Sequence, residues 1–170
     1  MTKVQLLERL RSRCSRAEYS TAQVASYARQ WLIRSGESAE RAEKGVAEIM
    51  EVLVSEKFVD DERFAAAFVR DKLKFNRWGR HKIIYRLRAL GVDEQIIAAA
   101  IEENYNGGAD AQQGETPALD VLHALLVKKW EASKGKDALS IQARKAAAIR
   151  FAMSRGFDYE DIVKCLNNIV

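Results

Sequence analysis

Gly91-Val92-Asp93-Glu94-Gln95-Ile96-Ile97 decides the fold, because Gly156-Phe157-Asp158-Tyr159-Glu160-Asp161-Ile162 repeats its pattern: glycine, apolar residue, aspartate, three residues, isoleucine. Each element has a physical reason. Glycine ends an incoming helix by taking a left-handed backbone, and aspartate caps the outgoing helix. The apolar residue before the cap staples onto the isoleucine one turn in. Gly36-Glu37-Ser38 keeps the stop and the cap but lacks the staple. The three glycines lie 55 and 65 residues apart. The longer interval holds Asn106-Gly107-Gly108 through Gly114-Glu115, a stretch with three glycines and no periodicity. The expectation is an all-α chain of three tandem three-helix repeats, 1–56, 57–105 and 117–170, with a flexible linker at 106–116. Units of about 50 residues seldom bury a large core alone, so neighbours should stack into an elongated array, open to curvature.

Apolar spacing predicts a first helix from about Thr2, with Val4, Leu7 and Leu10 as its stripe, joined by Leu6. Further helices follow over 21–34, 38–55, 61–74 and 80–90, then one capped by Asp93. Thr116-Pro117 starts the next, running to about Trp130, and Ser133–Asp137 reads as a polar loop. Helices over 140–154 and 159–168 end the chain. Trp31, Trp78 and Trp130 fall one per repeat and read as core anchors.

Several function classes are excluded or disfavoured. The chain has no GxxxxGK[ST], GxGxxG or HExxH, and only two histidines, His81 and His123. No catalytic residue, metal site or cofactor is therefore expected, and Asp60-Asp61-Glu62 reads as a helix cap rather than an ion ligand. Cys14 and Cys165 lack CxxC spacing and read as ordinary thiols. No apolar run approaches the roughly 20 residues that span a bilayer. Neither is there the apolar core of a secretory signal. A soluble, cytoplasmic, monomeric protein is expected.

The net charge is only +4, but it is strongly segregated. Residues 37–62 carry −6, 63–90 carry +8 and 93–120 carry −7. Between Arg63 and Leu90 nine bases face a single acid, Asp71. Exposed helices usually intermix acids for i,i+4 pairing, so this excess points to a polyanionic partner, either nucleic acid or an acidic protein surface. The candidate partner-binding residues are Arg63, Arg70, Lys74, Arg77, Arg80, Lys82, Tyr85, Arg86 and Arg88. Asp71 is placed to pair with Lys74 or Arg70. A helix-turn-helix reader or a non-specific DNA-binding protein is the alternative. Against a conventional reader, residues 93–103 hold only acids among their charged side chains.

Phe58-Val59-Asp60-Asp61-Glu62-Arg63-Phe64-Ala65, Trp78-Gly79-Arg80-His81-Lys82-Ile83 and Leu90-Gly91-Val92 resemble the middle repeat of the RecX family of bacterial recombination regulators. Met153-Ser154-Arg155-Gly156-Phe157, with Ile162 and Val163, is similar to that family's closing repeat. The resemblance implies three tandem three-helix repeats and a non-enzymatic protein. It also implies binding in the groove of the RecA nucleoprotein filament, opposing filament growth and lowering recombinase and coprotease activity, with DNA in or near the filament as a further contact. Arg63, Arg80 and Lys82 match the family's middle-repeat bases.

Overall fold

The computed structural model describes residues 2–110, 116–133 and 140–170, and every regular element among them is helical. In chain order these are α1 (Lys3–Cys14), α2 (Thr21–Arg34), α3 (Ala39–Ser55), α4 (Asp61–Lys74), α5 (Arg80–Ala89) and α6 (Glu94–Asn104). A 3-10 turn at Gly108–Asp110 precedes α7 (Pro117–Glu131), α8 (Ile141–Ser154) and α9 (Tyr159–Asn167). The 3-10 turn falls within the expected linker, whose residues 111–115 lie outside the described residues, as do 134–137 of the expected polar loop.

Local signals set the ends. Thr2 and Ser20 form capping boxes with Gln5 and Gln23, and Ser38, Thr116 and Ser140 each accept a backbone N–H three residues on. The Asp60 carboxylate accepts from Arg63 N–H at 2.9 Å, and that of Asp93 from Gln95 N–H at 2.8 Å. Gly36, Gly91 and Gly156 take φ of 92°, 76° and 91°. In each turn the next residue's N–H returns to a carbonyl five positions back: Glu37 to Leu32, Val92 to Leu87, Phe157 to Ala152. The repeated glycine motif is therefore a repeated helix stop.

The chain packs as two compact units, Met1–Ala67 with Leu87–Ile97, and Phe68–Arg86 with Ala98–Val170. The first is built on Leu6, Leu10, Val24, Ala28, Leu32, Val46, Ile49 and Leu53, all buried. Val4 is 70% exposed and Leu7 only half-buried, so the stripe of α1 is Leu6, Leu10 and Cys14 at spacings of four, not the expected threes. Ser20 is fully buried: its Oγ accepts from Gln23 N–H at 3.2 Å and donates to the Leu90 carbonyl at 2.7 Å. Asp61 accepts from Thr21 N–H at 2.7 Å, which ties the start of α4 to the start of α2.

The second unit contains Val69, Leu73 and Ile83 together with Leu122, Leu126, Trp130, Phe157, Ile162 and Leu166. Here the start of α5 docks on the α8–α9 turn through main-chain atoms. Gly79 N–H donates to the Arg155 carbonyl at 2.8 Å and His81 N–H to the Gly156 carbonyl at 3.1 Å. The first turn of a helix leaves its N–H groups without intrahelical acceptors, and this turn supplies them. The same arrangement recurs in the first unit, where Ser20 Oγ takes the role of Gly79 N–H and the Leu90–Gly91 turn that of Arg155–Gly156. Cys14 and Cys165 are buried free thiols, and burial pushes both up from the ordinary thiol value. Among the described residues no helix is long and apolar enough to cross a membrane.

Candidate partner-binding face

The end of α4 creates the site. Arg77 adopts a left-handed backbone, φ 53°, with its N–H on the Leu73 carbonyl at 3.1 Å. The reversal brings Trp78 back over α4, its N–H on the Lys72 carbonyl at 3.0 Å. The half-buried Trp78 ring is then flanked by two ammonium groups, Lys72 Nζ at 5.2 Å and Lys82 Nζ at 4.8 Å from its centroid. Trp78 is thus a platform for cations rather than the core anchor expected from its one-per-repeat spacing; Trp130 does fill a core, at 6% exposure. Lys72 also lies 5.3 Å from the Phe68 ring.

From this platform the face continues in both directions. Phe75, the first residue beyond α4, is 73% exposed with Lys74 Nζ 5.5 Å from its ring. Tyr85 and Arg86 follow Lys82 by three and four residues on α5, and Tyr85 is also 73% exposed. Two large aromatic rings standing in water among cations are the informative observation, since exposed lysine alone is routine on a helix.

Four of the nine residues expected at the face are occupied elsewhere. Arg63 Nε sits 2.6 Å from Glu18 Oε1 and its Nη2 donates to the Lys57 carbonyl at 3.1 Å, within the first unit. Its guanidinium is held above the ordinary arginine value by the Glu18 hydrogen bond. Arg88 grips Glu94 across the α5–α6 turn, Nε to Oε1 at 2.5 Å and Nη2 to Oε2 at 2.9 Å; the same contact holds the Glu94 carboxyl below its usual range. Arg70 Nη1 donates to Asn104 Oδ1 at 3.0 Å rather than meeting Asp71, one of the two pairings open to that acid. Arg80 Nε lies 2.6 Å from Asp158 Oδ2, and its guanidinium is 5.9 Å from the ring of buried Tyr105. Burial pushes the Tyr105 hydroxyl up to about 12, with Arg80 acting in the opposite sense.

Asp158 corrects a further expectation. It stands at the N-cap position of α9, yet its side chain makes no capping hydrogen bond. Both carboxylate oxygens turn away, one to Arg80 and the other to His81 Nε2 at 2.6 Å. Asp158→Ala is expected to destabilise the protein by about 2 kcal/mol, because it unpairs a partly shielded arginine. Urea denaturation measures this; a loss below about 0.5 kcal/mol would assign the pair no structural weight.

The face that remains free consists of Lys74, Arg77, Lys82, Tyr85 and Arg86 from the expected set, joined by Lys72, Phe75 and Trp78. All three lay inside the basic run, but Trp78 read as a core anchor and Lys72 and Phe75 carried no separate signal.

Comparison with known proteins gives concordant matches. The profile of the RecX second three-helix domain matches residues 60–101 and that of the RecX third three-helix domain residues 117–166. Regulatory protein RecX of Clostridium tetani is 30% identical over 129 residues, spanning 75% of this chain and 53% of that protein. The Chromohalobacter salexigens regulatory protein RecX is 30% identical over 136 residues, 80% of this chain and 79% of that one. The crystal structure of RecX from Lactobacillus salivarius superposes with a TM-score of 0.76 at 16% identity, covering 98% of this chain and 96% of that one.

Proposed function

Since the chain belongs to the RecX family of regulatory proteins, we propose that it is a non-enzymatic regulator that binds the RecA nucleoprotein filament and limits its growth. On this reading it lowers recombinase and coprotease activity in DNA repair and the SOS response, acting as a cytoplasmic monomer without a cofactor. One observation carries the assignment of the binding face: Phe75 and Tyr85 stand exposed among Lys74, Lys82 and Arg86, and none of those three bases is ion-paired among the described residues. Cations interleaved with exposed aromatics suit an acidic, partly apolar surface better than they suit water.

The test is a RecA-filament disassembly assay, with filament ATP hydrolysis as a second readout, comparing the native chain with Lys82→Glu/Arg86→Glu. Both side chains are exposed, so the fold should persist. The double variant is expected to need at least about tenfold more protein for half-maximal effect, as the loss of two charge contacts implies. Unchanged potency of a folded variant against its own RecA sinks the assignment.

The same exposed rings favour one second reading, a single-stranded nucleic acid lying on Phe75 and Tyr85, since bases stack on such platforms regardless of sequence. Steep salt dependence without sequence preference in the absence of RecA supports that reading. The acids Glu94, Glu102 and Glu103 are the only charged side chains of α6, which speaks against a major-groove reader.

A further inference from the structure

A concavity of about 270 Å³ opens in the second unit, and four cations line it: Arg77, which it shares with the basic face, and Lys128, Lys129 and Arg155. Its floor is apolar, formed by Leu125, Ala132 and Phe151. No carboxylate lines it, and none of the four bases is ion-paired among the described residues.

Two of the four cations, Lys129 and Arg155, are held in place by neighbouring groups. Lys129 Nζ lies 4.7 Å from the Phe151 centroid and the Arg155 guanidinium 5.4 Å from it. Arg155 Nη1 donates to the Asn76 carbonyl at 3.0 Å, and the Arg155 carbonyl receives Gly79 N–H. Holding donors in advance lowers the ordering cost of a ligand.

A competing role for these bases is compensation of helix ends. Lys128 and Lys129 occupy the last turn of α7, Arg155 is the C-cap of α8, and Arg77 follows α4. Each helix C-terminus contributes roughly half a negative charge, so three of them offset about 1.5 of the four positive charges. A surplus of roughly two to three charges remains over a shallow apolar floor, with no carboxylate among the lining residues described.

We propose that this pocket binds a phosphoryl group carrying two or more negative charges. The side chains around it offer donors and apolar surface but no carboxylate, amide or hydroxyl. They therefore recognise the phosphate itself and cannot read a base edge or a sugar hydroxyl. A free polyphosphate and the backbone of a nucleic acid present the same chemistry here.

The experiment titrates tripolyphosphate into the full chain by isothermal titration calorimetry, for the native protein, Lys128→Gln/Lys129→Gln and Lys82→Gln/Arg86→Gln. The expected result is binding by the native chain, at least fivefold weaker in Lys128→Gln/Lys129→Gln and changed less than twofold in Lys82→Gln/Arg86→Gln. Displacement of tripolyphosphate by an oligothymidylate assigns the site to a nucleic-acid backbone, and failure to displace it assigns the site to free phosphates. Absence of binding by the native chain overturns the proposal. So does equal affinity in the Lys128→Gln/Lys129→Gln variant, or an equal loss in the other pair. The filament reading rests on Lys82 and Arg86 and stands or falls separately.

Discussion

Gly79→Ala is expected to lower stability by about 3 kcal/mol or more. A Cβ at this position would stand 2.2 Å from both the Gly156 carbonyl carbon and the Phe157 nitrogen. These are main-chain atoms in a turn already fixed by hydrogen bonds from Gly79 and His81, so no rotamer change can relieve the overlap. Relief would require the start of α5 to withdraw. The Gly79 and His81 amides would then lose their acceptors, and the pairing of Arg80 and His81 with Asp158 would be pulled apart with them. Urea unfolding followed by circular dichroism measures the change. A loss under about 1 kcal/mol would mean that the α5 start and the α8–α9 turn are not held as described.

Gly156→Ala and Gly36→Ala separate backbone strain from crowding. Both glycines have φ near 90°, where an alanine pays about 1 kcal/mol for its left-handed conformation. Nothing lies within 4 Å of a Cβ at Gly36, so the strain should be the whole of its effect. At Gly156 the added atom would meet the Lys82 nitrogen and Cβ, each at 2.7 Å. The expected losses are therefore about 1 kcal/mol at position 36 and about 3 kcal/mol at position 156. Equal losses would show that the docked turn yields as freely as the open one. Both variants are read by the same urea titration, and a common slope keeps the two midpoints comparable.

The helices were legible because their signals are local. α2 and α4 span the expected residues, and Ser38, Asp93 and Thr116 cap as their side-chain chemistry demands. Asp158 shows where that logic stops. Its neighbourhood matches that of Asp93, yet its carboxylate serves Arg80 and His81, more than seventy positions earlier in the chain. A pattern within seven residues cannot report such a partner. The charge run was legible as an excess but not as a face. Arg63 is neutralised by Glu18, 45 residues away, while among the described residues no carboxylate pairs with Lys82 or Arg86. The exposure of Phe75 was not legible, because helical spacing alone does not reveal that α4 has finished one residue earlier. Lys72 and Trp78 became a pair only through the left-handed turn at Arg77, a conformation that its sequence does not announce.

The seam between the α5 start and the α8–α9 turn is written in main-chain atoms, and this bears on how the protein can evolve. Amide and carbonyl groups come with every residue except proline, so the two hydrogen bonds that close the seam ask for almost no particular side chain. Only the two glycines at the point of closest approach are constrained by space. Mutations can therefore accumulate on the outer surfaces of both partners without loosening the joint. Such tolerance accords with solved RecX structures that keep this fold at 16% identity. It leaves the outward-facing residues free to follow a changing partner while the frame that presents them stays the same.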